Sequence, residues 1–142
     1  MSELMSPSWV SVPIRADGSD EIVGYRPVRY DQFVLALFKK MSEERMLGHA
    51  GRGVCTEAGE INDCIKKSLD YDQELNIKNL IEEIGDMRFY LQAIQNMYGL
   101  TDAVILQSNA SKLSERYMNL RYSDEQAKLR RDKLDGSPEQ PS

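Results

Sequence analysis

Apolar residues recur at steps of three and four along most of the chain, and at steps of two near its start. The clearest run carries Leu80, Ile84, Met87, Leu91, Ile94 and Tyr98, a spacing that predicts an amphipathic helix. Asn76 stands where an N-cap belongs and Gly99 where a C-cap glycine belongs. Upstream, Val54, Ala58, Ile61, Ile65 and Leu69 predict another helix, with Asp70-Tyr71-Asp72-Gln73-Glu74 as the connection. Phe33, Leu37, Met41 and Met46 predict an earlier one, opened by Asp31 as N-cap. Between these two, Gly48, Gly51 and Gly53 predict a bend. A further helix starts at Thr101 or Asp102 and carries Leu106, Ala110, Leu113, Tyr117 and Leu120 on one side.

The ends read differently. Pro7, Pro13, Gly18, Gly24 and Pro27 punctuate short alternating stretches such as Val10, Val12 and Ile14, followed by turn chemistry at Ala16-Asp17-Gly18-Ser19. That pattern fits a β-hairpin or a loosely attached arm. From Ser123 the chain is rich in charge; a short charged helix over 124–134 precedes a tail, Gly136 to Ser142, that reads as disordered. The expected organisation is an arm over 1–28, a helical domain over 29–122 and a charged tail over 123–142. Helices joined by short connections predict an all-α fold, an antiparallel bundle of about four main helices.

Composition narrows the function. The 142 residues are 41% hydrophobic and 29% charged, as in an ordinary globular domain. The net charge of −5 argues against broad binding to nucleic acid, which needs a basic surface. No apolar run approaches the roughly 20 residues that span a bilayer, and no signal peptide is visible, so a cytoplasmic location and no membrane partner are expected. Cys55 and Cys64 form no CxxC pair.

Chemistry concentrates in two echoing segments, Glu57-Ala58-Gly59-Glu60 and Glu83-Ile84-Gly85-Asp86. Each sets two carboxylates three residues apart, neighbours on one helix face. Each also holds a helical glycine, at a cost of about 1 kcal/mol relative to alanine, which suggests that the two backbones approach closely there. Side by side, such helices aim four carboxylates at one volume, and a hard divalent cation relieves their repulsion. All-oxygen ligation suits Mg²⁺, with Mn²⁺ as an alternative, and Mg²⁺ commonly bridges to substrate phosphates. Taken singly, either acid pair is an ordinary solvated helix face; the repetition and the place of Glu83 within an apolar stripe favour metal.

Cations complete the picture. Asn109, Lys112 and Arg116 share one face of their helix, and Lys66 and Lys67 follow Glu60. These side chains suit neutralising phosphate oxygens. His49, the one histidine, is a candidate for touching a base or accepting a proton, and Trp9 for stacking or for anchoring the arm. No Walker loop, nucleophilic triad or zinc pattern is present, so water is the natural nucleophile.

The segments His49-Ala50-Gly51-Arg52-Gly53-Val54, Glu57 to Glu60, Asp63 and Lys66-Lys67 resemble the opening motif of MazG-like proteins. Glu82-Glu83-Ile84-Gly85-Asp86 with Phe89-Tyr90-Leu91 is similar to the second motif, and Asn109, Lys112-Leu113 and Arg116-Tyr117 to the third. The likeness spans roughly residues 30–120 and is greatest to the small single-domain forms of phages and bacteria. It implies an all-α, Mg²⁺-dependent hydrolase that splits a nucleoside triphosphate into monophosphate and pyrophosphate. It also implies a homodimer or homotetramer whose protomers complete the bundle. Carried over, Glu57, Glu60, Glu83 and Asp86 are metal ligands, with one glutamate activating water. Lys66, Asn109, Lys112 and Arg116, with Tyr117 beside them, contact substrate. Two rival readings are a pyrophosphatase of phosphoribosyl-ATP or a guanosine alarmone, and a helical module that binds a metal–nucleotide complex without turnover.

Overall fold

The computed structural model describes residues 8–133, which are mostly helical with one small antiparallel sheet. The chain divides into two compact units, one ending at Leu100 and the other beginning at Thr101. Among the described residues no helix is long and apolar enough to cross a membrane. The expected disordered tail lies outside the described residues.

In the first unit the alternating segment forms a hairpin, β1 (Trp9–Arg15) and β2 (Ile22–Arg29), with Trp9 opposite Arg29 and Val12 opposite Arg26. The turn is closed by hydrogen bonds from the Ala16 amide to Glu21 O and from the Ser19 amide to Ala16 O, both 3.0 Å. Gly18 sits there at φ +71°, a conformation glycine adopts without a Cβ clash. Trp9 is exposed on this hairpin.

The strand passes directly into α1 (Tyr30–Leu37), so the N-cap is Arg29 and Asp31 falls in the first turn. There Asp31 accepts an ion pair from Arg29 at 2.6 Å. The expectation that this helix continues to Met41 or Met46 is incorrect. Phe38 turns extended and buries its ring, while Lys40 Nζ donates to the Leu35 carbonyl at 2.7 Å near the helix end.

The chain then runs as α2 (Glu43–Asp70), unbroken through Gly48, Gly51 and Gly53. The predicted glycine bend is absent. Gly53 serves close packing instead: a Cβ built on it would lie 2.5 Å from carbons of the Tyr90 ring.

Helix α3 (Ile77–Tyr98) has the predicted caps. The Asn76 side chain accepts from the Asn79 amide at 3.0 Å, and Gly99 adopts φ +61°. Across the α2–α3 pair Cys64 meets Asn76, Glu57 meets Glu83, and Gly53 meets Tyr90. Positions rise on one helix as they fall on the other, so the two are antiparallel. Helix α1 packs on α3, and Asn96 donates to the Asp31 carbonyl at 2.9 Å.

The core of this unit is Val34, Phe38, Ala50 and Ala93, ringed by Tyr30, Phe33, Met46, Phe89, Tyr90, Ile94 and Met97. Part of the predicted stripe faces away from it. Ile84, Leu91 and Tyr98 on α3 are exposed, as are Ala58, Ile65 and Leu69 on α2. Ile77 and Ile81, at 55% and 67% exposure, extend the outward apolar row.

The second unit opens with α4 (Asp102–Arg116), where Thr101 Oγ1 accepts from the Val104 amide at 3.3 Å. The helix ends one turn sooner than expected. Tyr117 is extended, and a 3₁₀ turn over Met118–Leu120 contains Asn119 at φ +59°. The expected charged helix is present as α5 (Asp124–Leu129), followed by a 3₁₀ turn over Arg131–Lys133.

Candidate metal centre

The antiparallel register of α2 and α3 decides which acids meet. Glu57 lies midway along α2, and Glu83 and Asp86 lie one turn apart on α3. Carboxylate oxygens from the three come within 4.8 Å of one another. Glu57 and Glu83 are half-buried and Asp86 is exposed. A Mg²⁺ ion holds oxygens at about 2.1 Å, so adjacent ligands of its octahedron stand about 3 Å apart and opposed ones about 4.2 Å. The oxygens of the trio lie close to such spacings, and an acid-only donor set suits such a hard cation.

Glu60 is exposed and lies outside the trio. One turn along α2, it is displaced from Glu57 by the helical rise and by a rotation of about 60°. Its charge still reaches the cluster. Burial first, and then the charges of Asp86, Glu83 and Glu60, hold the Glu57 carboxyl above its ordinary range. Like charges beside a half-buried acid favour its neutral form, and a cation would reverse that preference.

Asn79 was not legible as a site residue. Its Nδ2 donates to Glu83 Oε1 at 3.2 Å, and its backbone amide is held by the Asn76 cap. The signal available in sequence was the i, i+4 spacing of Asn79 and Glu83 in the first turns of α3. The expectation that Gly59 and Gly85 mark a close backbone approach is incorrect: a Cβ at either would meet nothing within 4 Å. The close approach falls at Gly53, one turn before Glu57.

Comparison with family models, with curated proteins and with solved structures gives no match.

The other sequence-predicted residues occupy distinct places. His49 is half-buried in the aromatic cluster, its ring centroid 5.4 Å from that of Phe38 and 5.7 Å from that of Tyr90. Lys66 Nζ lies 5.7 Å from the centroid of the Tyr71 ring, and Lys67 is ion-paired to Asp63 at 2.6 Å. Asn109 and Lys112 are exposed on α4 in the second unit. In that unit Arg116 is bound to Asp132, and the Tyr117 ring lies 5.5 Å from that of Tyr122. The structure therefore brings together Glu57, Glu83 and Asp86, and within the first unit it leaves His49 outside that trio.

Chemically, the trio offers oxygen donors to a divalent cation and a proton acceptor of raised affinity at Glu57.

Proposed function

We propose that this chain is a Mg²⁺-dependent hydrolase of nucleoside triphosphates that releases the monophosphate and pyrophosphate. The observation that carries the reading is the convergence of Glu57, Glu83 and Asp86 from two antiparallel helices. Support also comes from the resemblance of the surrounding motifs to MazG-like proteins.

Glu57, Glu83 and Asp86 hold the cation, with Glu60 completing the acidic set. A bound Mg²⁺ supplies Lewis-acid activation of water and neutralises phosphate oxygens. One of the glutamates takes the proton of the attacking water. Asn79 keeps the Glu83 carboxylate in place through its amide. The resemblance assigns substrate contact to Lys66, with His49 toward the base, in the first unit, and to Asn109, Lys112, Arg116 and Tyr117 in the second. Charge stabilisation on the departing pyrophosphate falls to the cations of that set.

The exposed apolar row of Ile77, Ile81, Ile84 and Leu91 favours completion of a helical bundle by a second copy, as a homodimer or homotetramer. The setting we propose is the cytoplasm, with a small nucleotide as the ligand and no nucleic acid or membrane partner. A second reading, nucleotide binding without turnover, is favoured by the commitment of Arg116 to Asp132 and of Lys67 to Asp63.

The deciding experiment incubates the purified chain with each common NTP and dNTP, with phosphoribosyl-ATP and with a guanosine alarmone. Mg²⁺ is present with or without chelator, and products are resolved by chromatography. Monophosphate with pyrophosphate, lost with chelator and in Glu60→Ala and Asp86→Ala, is the expected result. Diphosphate with inorganic phosphate, or full rate in either variant, overturns the reading. Binding without any product selects the second reading.

A further inference from the structure

Arg116 ends α4 with one edge of its guanidinium already occupied. Nε donates to Asp132 Oδ1 at 2.8 Å and Nη2 to Oδ2 at 2.7 Å, a two-pronged pairing across sixteen residues of sequence. The side chain of Asp132 is 1% exposed and that of Arg116 is 19% exposed. The chain makes a costly path to reach this contact. Asn119, Leu120 and Arg130 all adopt positive φ, which disfavours residues with a Cβ. The return is anchored by Gln126, whose Oε1 accepts from the Met118 amide at 2.8 Å.

A planar fork with two charge-assisted hydrogen bonds is the geometry by which arginine grips a carboxylate or a phosphate. The same two N–H groups cannot serve both. We infer that Asp132 is an internal stand-in for a phosphate group, and that the return segment keeps the Arg116 fork closed until a phosphate-bearing ligand displaces it. This inference rests on the reading of Arg116 as a phosphate contact. The closed form is a competitor tethered to the same chain, so it lowers apparent affinity by the fraction of molecules that are open. A purely structural ion pair would instead fasten the 3₁₀ turn over Arg131–Lys133 to α4 and have no effect on anion binding.

The test titrates the full-length chain with inorganic pyrophosphate without metal, read by chemical-shift changes, for wild type, Asp132→Asn and the double variant Asp132→Asn/Arg116→Gln. Asparagine keeps the shape of aspartate and removes the charge. The expected result is binding about tenfold tighter in Asp132→Asn, with the gain lost in the double variant. Unchanged or weaker binding in a helical, folded Asp132→Asn protein overturns the inference. If that variant does not fold, Gln126→Ala loosens the return segment and leaves the ion pair itself intact. It should then show a smaller gain in the same direction, and no gain is again fatal. NTP turnover is measured on the same samples. A gain in pyrophosphate affinity without turnover of any nucleotide leaves the latch standing and removes the hydrolase reading. Turnover with unaltered pyrophosphate binding does the reverse.

Discussion

Gly53 and Tyr90 meet so closely across α2 and α3 that a Cβ on Gly53 would fall 2.5 Å from the Tyr90 ring. The atoms it would strike include Cγ, near the root of the side chain, so the ring cannot step aside without moving the α3 backbone or leaving its place in the core. This contact lies one turn before Glu57 and one turn beyond Asp86, so it sets the spacing of the helices at the acid trio.

Gly53→Ala should therefore destabilise the chain by about 1–3 kcal/mol, the usual cost of overpacking, even though alanine is the better helix former. Gly59→Ala and Gly85→Ala, with open space around the added methyl, should stabilise by up to about 1 kcal/mol. Urea denaturation of the three variants checks the contrast; equal effects at Gly53 and Gly59 would remove the packing argument.

Ionised Glu57 is disfavoured in the folded chain by its burial and by Asp86, Glu83 and Glu60. Because its affinity for a proton rises on folding, its penalty is present above the raised value and relieved as pH falls through it. Glu57→Gln should raise the melting temperature at pH 7 in the absence of divalent cations. Mg²⁺ should stabilise wild type, by about 2.7 kcal/mol at a hundred times its dissociation constant, and should not stabilise the variant. A wild-type melting curve indifferent to both Mg²⁺ and Mn²⁺ would rule out the metal centre.

Asn79→Ala removes the amide that fixes the Glu83 carboxylate. Metal affinity should fall about tenfold or more, as it does when groups supporting metal ligands are lost, while helix content is retained. Calorimetric titration with Mn²⁺ reads this directly. Unchanged affinity would assign Asn79 to the first turn of α3 alone.

The Arg116 guanidinium pulls the Asp132 carboxyl down to about 2. A depressed acid contributes stability that is complete above its ordinary pKa of 3.8 and lost as pH falls through the folded value. Amide hydrogen exchange within residues 102–133 should thus accelerate as pH drops from about 4 to 2 beyond the intrinsic pH dependence. Asp132→Asn should lack that acid step. An identical acid profile in the variant would show that the pair contributes nothing to the unit.

Asn76→Ala should cost about 1 kcal/mol through loss of the α3 cap. It also frees the amide of Asn79, so metal affinity should weaken in the same variant. Denaturation and Mn²⁺ titration together test whether the cap and the acid trio are linked.

What the sequence determined by itself was local. Asn76 and Gly99 were legible as caps because each acts on groups within a few residues of itself. The helical period over residues 77–98 and the acid pairs were equally visible, since their spacing alone puts side chains on one face. The tertiary structure decided what depends on a partner far along the chain. Gly48, Gly51 and Gly53 read as a bend because glycine permits a turn and a close approach alike; only the Tyr90 ring distinguishes them. Four acids were expected at one point, and three converge because the antiparallel register sets Glu57 against Glu83 and Asp86 and leaves Glu60 a turn aside. Arg116 read as a free cation, while a return path through two successive left-handed residues, Asn119 and Leu120, delivers Asp132 to it. Periodicity specifies which residues share a face, but the packing of one face on another specifies which of them meet.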